Sequence, residues 1–135
     1  MKNRMVFFMC VVALLTLSGS VLAHHGTGAS YDSSKPTELK GTVTEFVWSN
    51  PHCQLYFNVK DEKGNIVEWA AELNSPGVLQ TQGWTRNMFK AGDEIVITVH
   101  PSKAGTPVGN TDRSKPIFIN GKEAVPGRRN ATTVD

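Results

Sequence analysis

Four histidines carry the chemistry in this chain that goes beyond folding: the adjacent pair His24-His25, then His52 and His100. His24 follows Val21-Leu22-Ala23, a Val-x-Ala step that reads as a signal-peptide cleavage site. Cleavage after Ala23 starts the mature chain at His24, whose α-amino group and imidazole then form a bidentate chelate on one residue. A second imidazole completes a three-nitrogen set suited to Cu(II), which such ligands favour over zinc and nickel by the Irving–Williams order. His52, in the Ser49-Asn50-Pro51-His52 turn, is the expected partner, with His25 and His100 as alternatives. The expected metal set is therefore His24, His25 and His52, and copper is the expected cofactor. The competing reading makes the pair a feature of the cleavage site on a floppy arm, with His52 bonding only its own turn.

Two aromatic residues are candidates for holding a ligand by stacking, Trp48 and Tyr56, the second because it falls on the polar face of its strand. Trp69 shares a face with Val67, Ala71 and Leu73 and reads as core. Cys53 alternates with Leu55 and Phe57 and reads as a buried apolar residue, with a thiolate ligand as the lesser reading. Glu68 and Glu72 flank Ala70 on what reads as an exposed, solvated face. With no Ser/His/Asp set at readable spacing, the chain is expected to bind and not to catalyse.

These residues depend on the segments around them. Lys2 and Arg4, an apolar run from Met5 to Leu17 and the Val21–Ala23 step form a secretory leader, too short in its apolar part to span a bilayer. The expected address is the periplasm, with no stable membrane insertion after cleavage. Lys2 and Arg4 leave with the leader, so the mature chain balances 12 Lys and Arg against 12 Asp and Glu. That balance argues against a nucleic-acid partner, whose phosphates require clustered excess cations. Arg128-Arg129 is the one basic cluster. Cys10 also leaves, so Cys53 has no partner for an intramolecular disulfide and the domain must hold through its core.

Residues 24–37 read as an extended arm, 38–125 as the domain and 126–135 as a disordered tail. Strand patterns run over Leu39–Trp48, with a bulge expected near Phe46-Val47-Trp48, then over Cys53–Lys60 and Ile66–Leu73 around an Asp61–Asn65 hairpin. Ser75-Pro76 starts a short helix with Val78 and Leu79 facing the core, ended by Gly83, and Thr85 can cap one more turn carrying Met88 and Phe89. Glu94–His100 is a fourth strand. Pro101–Pro116 reads as one long polar loop, and Ile117–Asn120 as a last strand whose Asn120-Gly121 turn lets Lys122–Val125 pair back. Three strands, a helix, then two strands is the element order of a mainly β, five-stranded antiparallel OB-like barrel with one short helix between strands three and four.

His24-His25-Gly26, Tyr31-Asp32, Leu39–Val43, Trp48–His52, Trp69, Ser75-Pro76, Gly83-Trp84-Thr85 and Lys90–Asp93 together resemble a family of small exported bacterial proteins known only as a domain of unknown function. The resemblance implies a periplasmic address and one β-rich domain, and makes His24, His25 and His52 matched positions without an assigned role. The expected protein is a monomeric periplasmic binding module that takes a copper ion at its mature N-terminus. The alternative is a metal-independent structural or interaction module that presents its barrel face and the 101–116 loop to an envelope protein.

Overall fold

The alternation of apolar and polar residues is realised as seven strands and one helix in a computed structural model, which describes residues 30–127. The expected leader, His24, His25 and residues 128–135 lie outside the described residues. The elements are β1 (Thr37–Val47), β2 (Gln54–Lys60), β3 (Ile66–Glu72), α1 (Pro76–Thr81), β4 (Glu94–Pro101), β5 (Val108–Thr111), β6 (Ile117–Ile119) and β7 (Lys122–Val125).

Strands pair in the order β1-β2-β3-β5-β4, and β4 returns to β1, so five strands close a barrel. Four of its pairings are antiparallel, but β3 and β5 run parallel, with Ala70 opposite Val108 and Glu72 opposite Asn110. The all-antiparallel expectation is thus corrected to a mixed barrel. Parallel neighbours need a crossover, and α1 with β4 supplies one.

The expected 101–116 loop also gives way, because it contains β5. Four residues with Gly109 and Asn110 among them carry little strand pattern. Gly109 is required by proximity: a Cβ there would lie 2.8 Å from both Cβ and Cγ2 of Val99. After Thr111 the chain loops out through 112–116 and returns as β6 along the same edge of β4. β6 and β7 then form an appended hairpin, whose turn places Asn120 and Gly121 at φ of 50° and 77°, as a type I′ turn requires.

Inward residues of β1, β2, β3 and β4 make the core: Leu39, Val43, Leu55, Phe57, Ala71, Ile95, Ile97 and Val99 are all buried. The bulge lies between Val43 and Glu45, slightly before the expected Phe46–Trp48. It turns β1 so that Phe46 and Trp48 pack partly buried against the core. α1 closes one end of the barrel with Leu79, fully buried, while Val78 points out at 42% exposure, against expectation. A six-residue helix has only one stripe to bury, and Leu79 takes it. Thr85–Met88 forms a hydrogen-bonded turn, and Trp84 and Phe89 sink into the core. Ring contacts then link Trp48 to Phe46 at 5.7 Å, Phe46 to Phe89 at 5.1 Å and Phe89 to Trp84 at 5.8 Å. Among the described residues no helix is long and apolar enough to cross a membrane.

β1 pairs with β2 along one edge and with β4 along the other, and Gly41 stands in both registers, opposite Val59 and Ile95. A Cβ at Gly41 would meet the Asn58 carbonyl oxygen at 2.5 Å and the Phe57 ring at 2.8 Å. The oxygen belongs to the paired backbone, so relief requires the strand to move. Gly41→Ala is expected to cost about 1–3 kcal/mol, read from the urea midpoint; an unchanged midpoint would show that β2 yields freely.

Candidate functional site

The register of four strands lines up one polar row on the outside of the barrel. Gln54 faces Glu72, Glu72 faces Asn110, and Asn110 faces His100. Their inward neighbours Leu55, Ala71, Gly109 and Val99 are buried, so the row is the outer half of the same alternation. Two residues before Gln54, His52 emerges on this side, its backbone held by Cys53 N–H donating to the Asn74 carbonyl at 3.0 Å. The Asn50–Pro51 peptide in this turn is cis.

Glu72 organises the row. Its Oε2 accepts a hydrogen bond from the Tyr31 hydroxyl at 2.6 Å, and its Oε1 contacts Nδ1 of His52. A carboxylate only accepts, so Nδ1 carries the proton in this contact and the neutral ring keeps its lone pair on Nε2. Glu72 is 18% exposed and His52 is 45% exposed, which leaves the ring open to solvent beside a shielded anion. The reading of Glu72 as a solvated strand residue is corrected here. Nothing in the local sequence separates it from Glu68; only the β2–β3 register brings it to His52.

Tyr31 reaches Glu72 because the chain just before β1 is fastened across the barrel. Tyr31 forms an isolated bridge with Ser102, Asp32 N–H donates to the Pro101 carbonyl at 2.9 Å, and Lys103 N–H donates to the Ser30 carbonyl at 3.0 Å. The arm is therefore docked from Ser30 onward. Burial, the hydrogen bond to Glu72 and the Glu72 charge together push the Tyr31 phenol up to about 12. Because the folded value is raised, the stability from this group is complete below pH about 10 and is lost as pH rises through about 12. In a Tyr56→Phe background, which leaves Tyr31 the sole tyrosine, phenolate absorbance is expected to rise late, alongside a loss of thermal stability in the same interval. Ionisation near pH 10 would show that the bond does not hold in solution.

At the far end of the row, His100 Nε2 lies 3.7 Å from Asp112 Oδ2, and its buried Nδ1 has no hydrogen-bond partner. Burial raises the Asp112 carboxyl, but the Ser114 hydroxyl and N–H, with the His100 and Lys115 charges, leave it below the usual range. Tyr56 is part-buried, its hydroxyl donating to Gln54 Oε1 at 2.7 Å, and Trp48 stands edge-on to Phe46. Cys53 is fully buried and its thiol is pushed up by that burial, so it is no surface thiolate. Among the described residues no three His, Cys, Asp or Glu converge to hold a metal. The site offers one oriented imidazole, and further donors would have to come from another segment.

A shallow groove of about 670 Å³ crosses β1, β2, β4 and β6, with Lys40, Lys60, Val96 and Phe118 along it. Neither described histidine, His52 or His100, contributes to it.

Fold and site together define a small mainly β protein: a closed mixed five-stranded barrel with one short helix and a carboxylate-held histidine on its outer face. The chain belongs to a family of unknown function, DUF6152, whose model matches residues 12–114. That span takes in all five barrel strands and stops before the β6–β7 hairpin. No curated protein and no solved structure matches the chain.

Proposed function

We propose that this is an exported, OB-like binding module that holds a copper ion on its outer face. The ion is held by the amine and ring of His24 at the mature N-terminus, and Nε2 of His52 completes the set. The observation that carries this reading is the Tyr31–Glu72–His52 relay. It fastens the end of the arm to the same carboxylate that orients His52, the exposed imidazole among the described residues. From Ser30, residues 24–29 span at most about 20 Å when extended, a reach compatible with bringing His24 to His52. A carboxylate behind a ligating histidine is also the usual outer-shell partner, setting the tautomer and raising ligand basicity. The OB-like assignment is supported by the barrel order β1-β2-β3-β5-β4 and by α1 between β3 and β4.

Cu(II) calorimetry on the chain beginning at His24, beside the same chain with one extra N-terminal Met, tests the chelate. The native start is expected to bind far more tightly, and equal affinities would sink the proposal. Affinity should fall as pH drops through the reference α-amine and imidazole values of about 7.7 and 6.5, since both donors must be unprotonated. A pH-independent affinity would point to oxygen ligands instead.

A further inference from the structure

The interruption between β5 and β6 makes a second site that shares no residue with the His52 relay. Where 112–116 loop away from β4, the barrel wall opens into a cavity of about 270 Å³, just under the usual range for small-molecule pockets. Trp84 and Ile117, buried at 4% and 2% exposure, supply apolar surface, and Val125 closes one side. Thr111, the last residue of β5, lines the cavity at 4% exposure, and its hydroxyl is buried without a hydrogen-bond partner. A buried hydroxyl left unpaired is costly, so a group that satisfies it contributes to affinity. Four residues of the lining are exposed, the neutral Gln82 and Pro126 and the cations Arg113 and Lys115. Gly127 seals the cavity wall by crossing the loop so closely that a Cβ there would lie 2.4 Å from the Ser114 carbonyl oxygen. Arg128 and Arg129 follow it directly in the chain.

We infer that this cavity binds a small organic monoanion: a carboxylate held by Arg113 and Lys115, an apolar body against Trp84 and Ile117, and a second polar group on the Thr111 hydroxyl. The order of the parts follows from exposure, cations outermost and hydroxyl innermost. A simple inorganic anion would leave both the apolar wall and the hydroxyl unused. A neutral apolar ligand would leave both the hydroxyl and the cations without a role.

The test is calorimetry, with tryptophan fluorescence as a second readout, on the full chain purified after export. The probes are 4-hydroxybenzoate, benzoate and phenol. 4-Hydroxybenzoate is expected to bind most tightly, with benzoate weaker by about threefold to tenfold for the lost hydrogen bond and phenol weaker still. Thr111→Val should bring 4-hydroxybenzoate and benzoate to the same affinity. The pair Arg113→Ala with Lys115→Ala, at two exposed positions, should weaken both acids and remove the salt dependence of their binding. Absence of binding at millimolar concentration overturns the inference. So does an unchanged preference in the Thr111 variant, or an unchanged affinity in the double variant.

Discussion

Phe57→Ala is expected to destabilise the protein by about 3–5 kcal/mol, the range for removing a large aromatic side chain from a packed core. Phe57 has no exposed surface. On β2 it faces Val43 of β1 on one side and Trp69 of β3 on the other, and its ring fills the space that a Cβ at Gly41 would need. Three strands therefore border the void, and their backbones are locked into a closed ring that has little freedom to collapse inward. Native proteins hold only about 5–15 kcal/mol in total, so the variant should be marginal at room temperature. Urea denaturation measures the loss, and Ile66→Ala, at a residue 60% exposed, is the comparison expected to stay within about 0.5 kcal/mol. A loss under about 1 kcal/mol for Phe57→Ala would mean that the barrel can shrink around the gap.

The second large effect concerns the outer face. At the proposed copper site, Glu72→Gln is expected to lower Cu(II) affinity by about 10–100-fold, the usual effect of removing a carboxylate behind a ligating histidine. Glutamine keeps the size and can still accept from the Tyr31 hydroxyl. It removes the negative charge behind the ring, and it can turn an N–H toward Nδ1, which would move the His52 proton to Nε2. His52→Ala should reduce affinity at least as far, and the double variant should lose little beyond His52→Ala alone, because the glutamine keeps the Tyr31 bond and the lost charge acts through that ring. Calorimetry on the chain starting at His24 gives the affinities, and the urea midpoint of each variant separates metal binding from folding. If Glu72→Gln binds copper normally while His52→Ala does not, the relay positions nothing. If both bind normally, the third nitrogen comes from elsewhere.

Much of the barrel was legible along the chain. Cys53 to Val59 and Ile95 to Val99 alternate so regularly that their inward faces could be named, and the Asn120-Gly121 turn announced its hairpin. β5 was not legible, since Val108-Gly109-Asn110-Thr111 has neither hydrophobic alternation nor a turn at each end. Its pairing is set by the edges of β3 and β4, and its glycine by the nearness of Val99. The relay was hidden for a related reason. Tyr31, His52 and Glu72 are separated by 20 residues or more, and only a cross-strand register turns that separation into contact. Thr111 is similar: a threonine before Asp112 signals nothing until the strand is seen to end there with its hydroxyl inside.

What the sequence determined by itself is what local chemistry can encode: which residues alternate inward, where Pro51, Pro76 and Gly121 punctuate the chain, and where the imidazole side chains stand. The tertiary structure decided which of these meet. Barrel closure pairs β3 with β5 in parallel, and that register makes one row of Gln54, Glu72, Asn110 and His100. Periodicity specifies the face a side chain takes, since neighbouring backbone geometry sets it. It does not specify the strand across from it, because pairing is a property of the closed sheet as a whole.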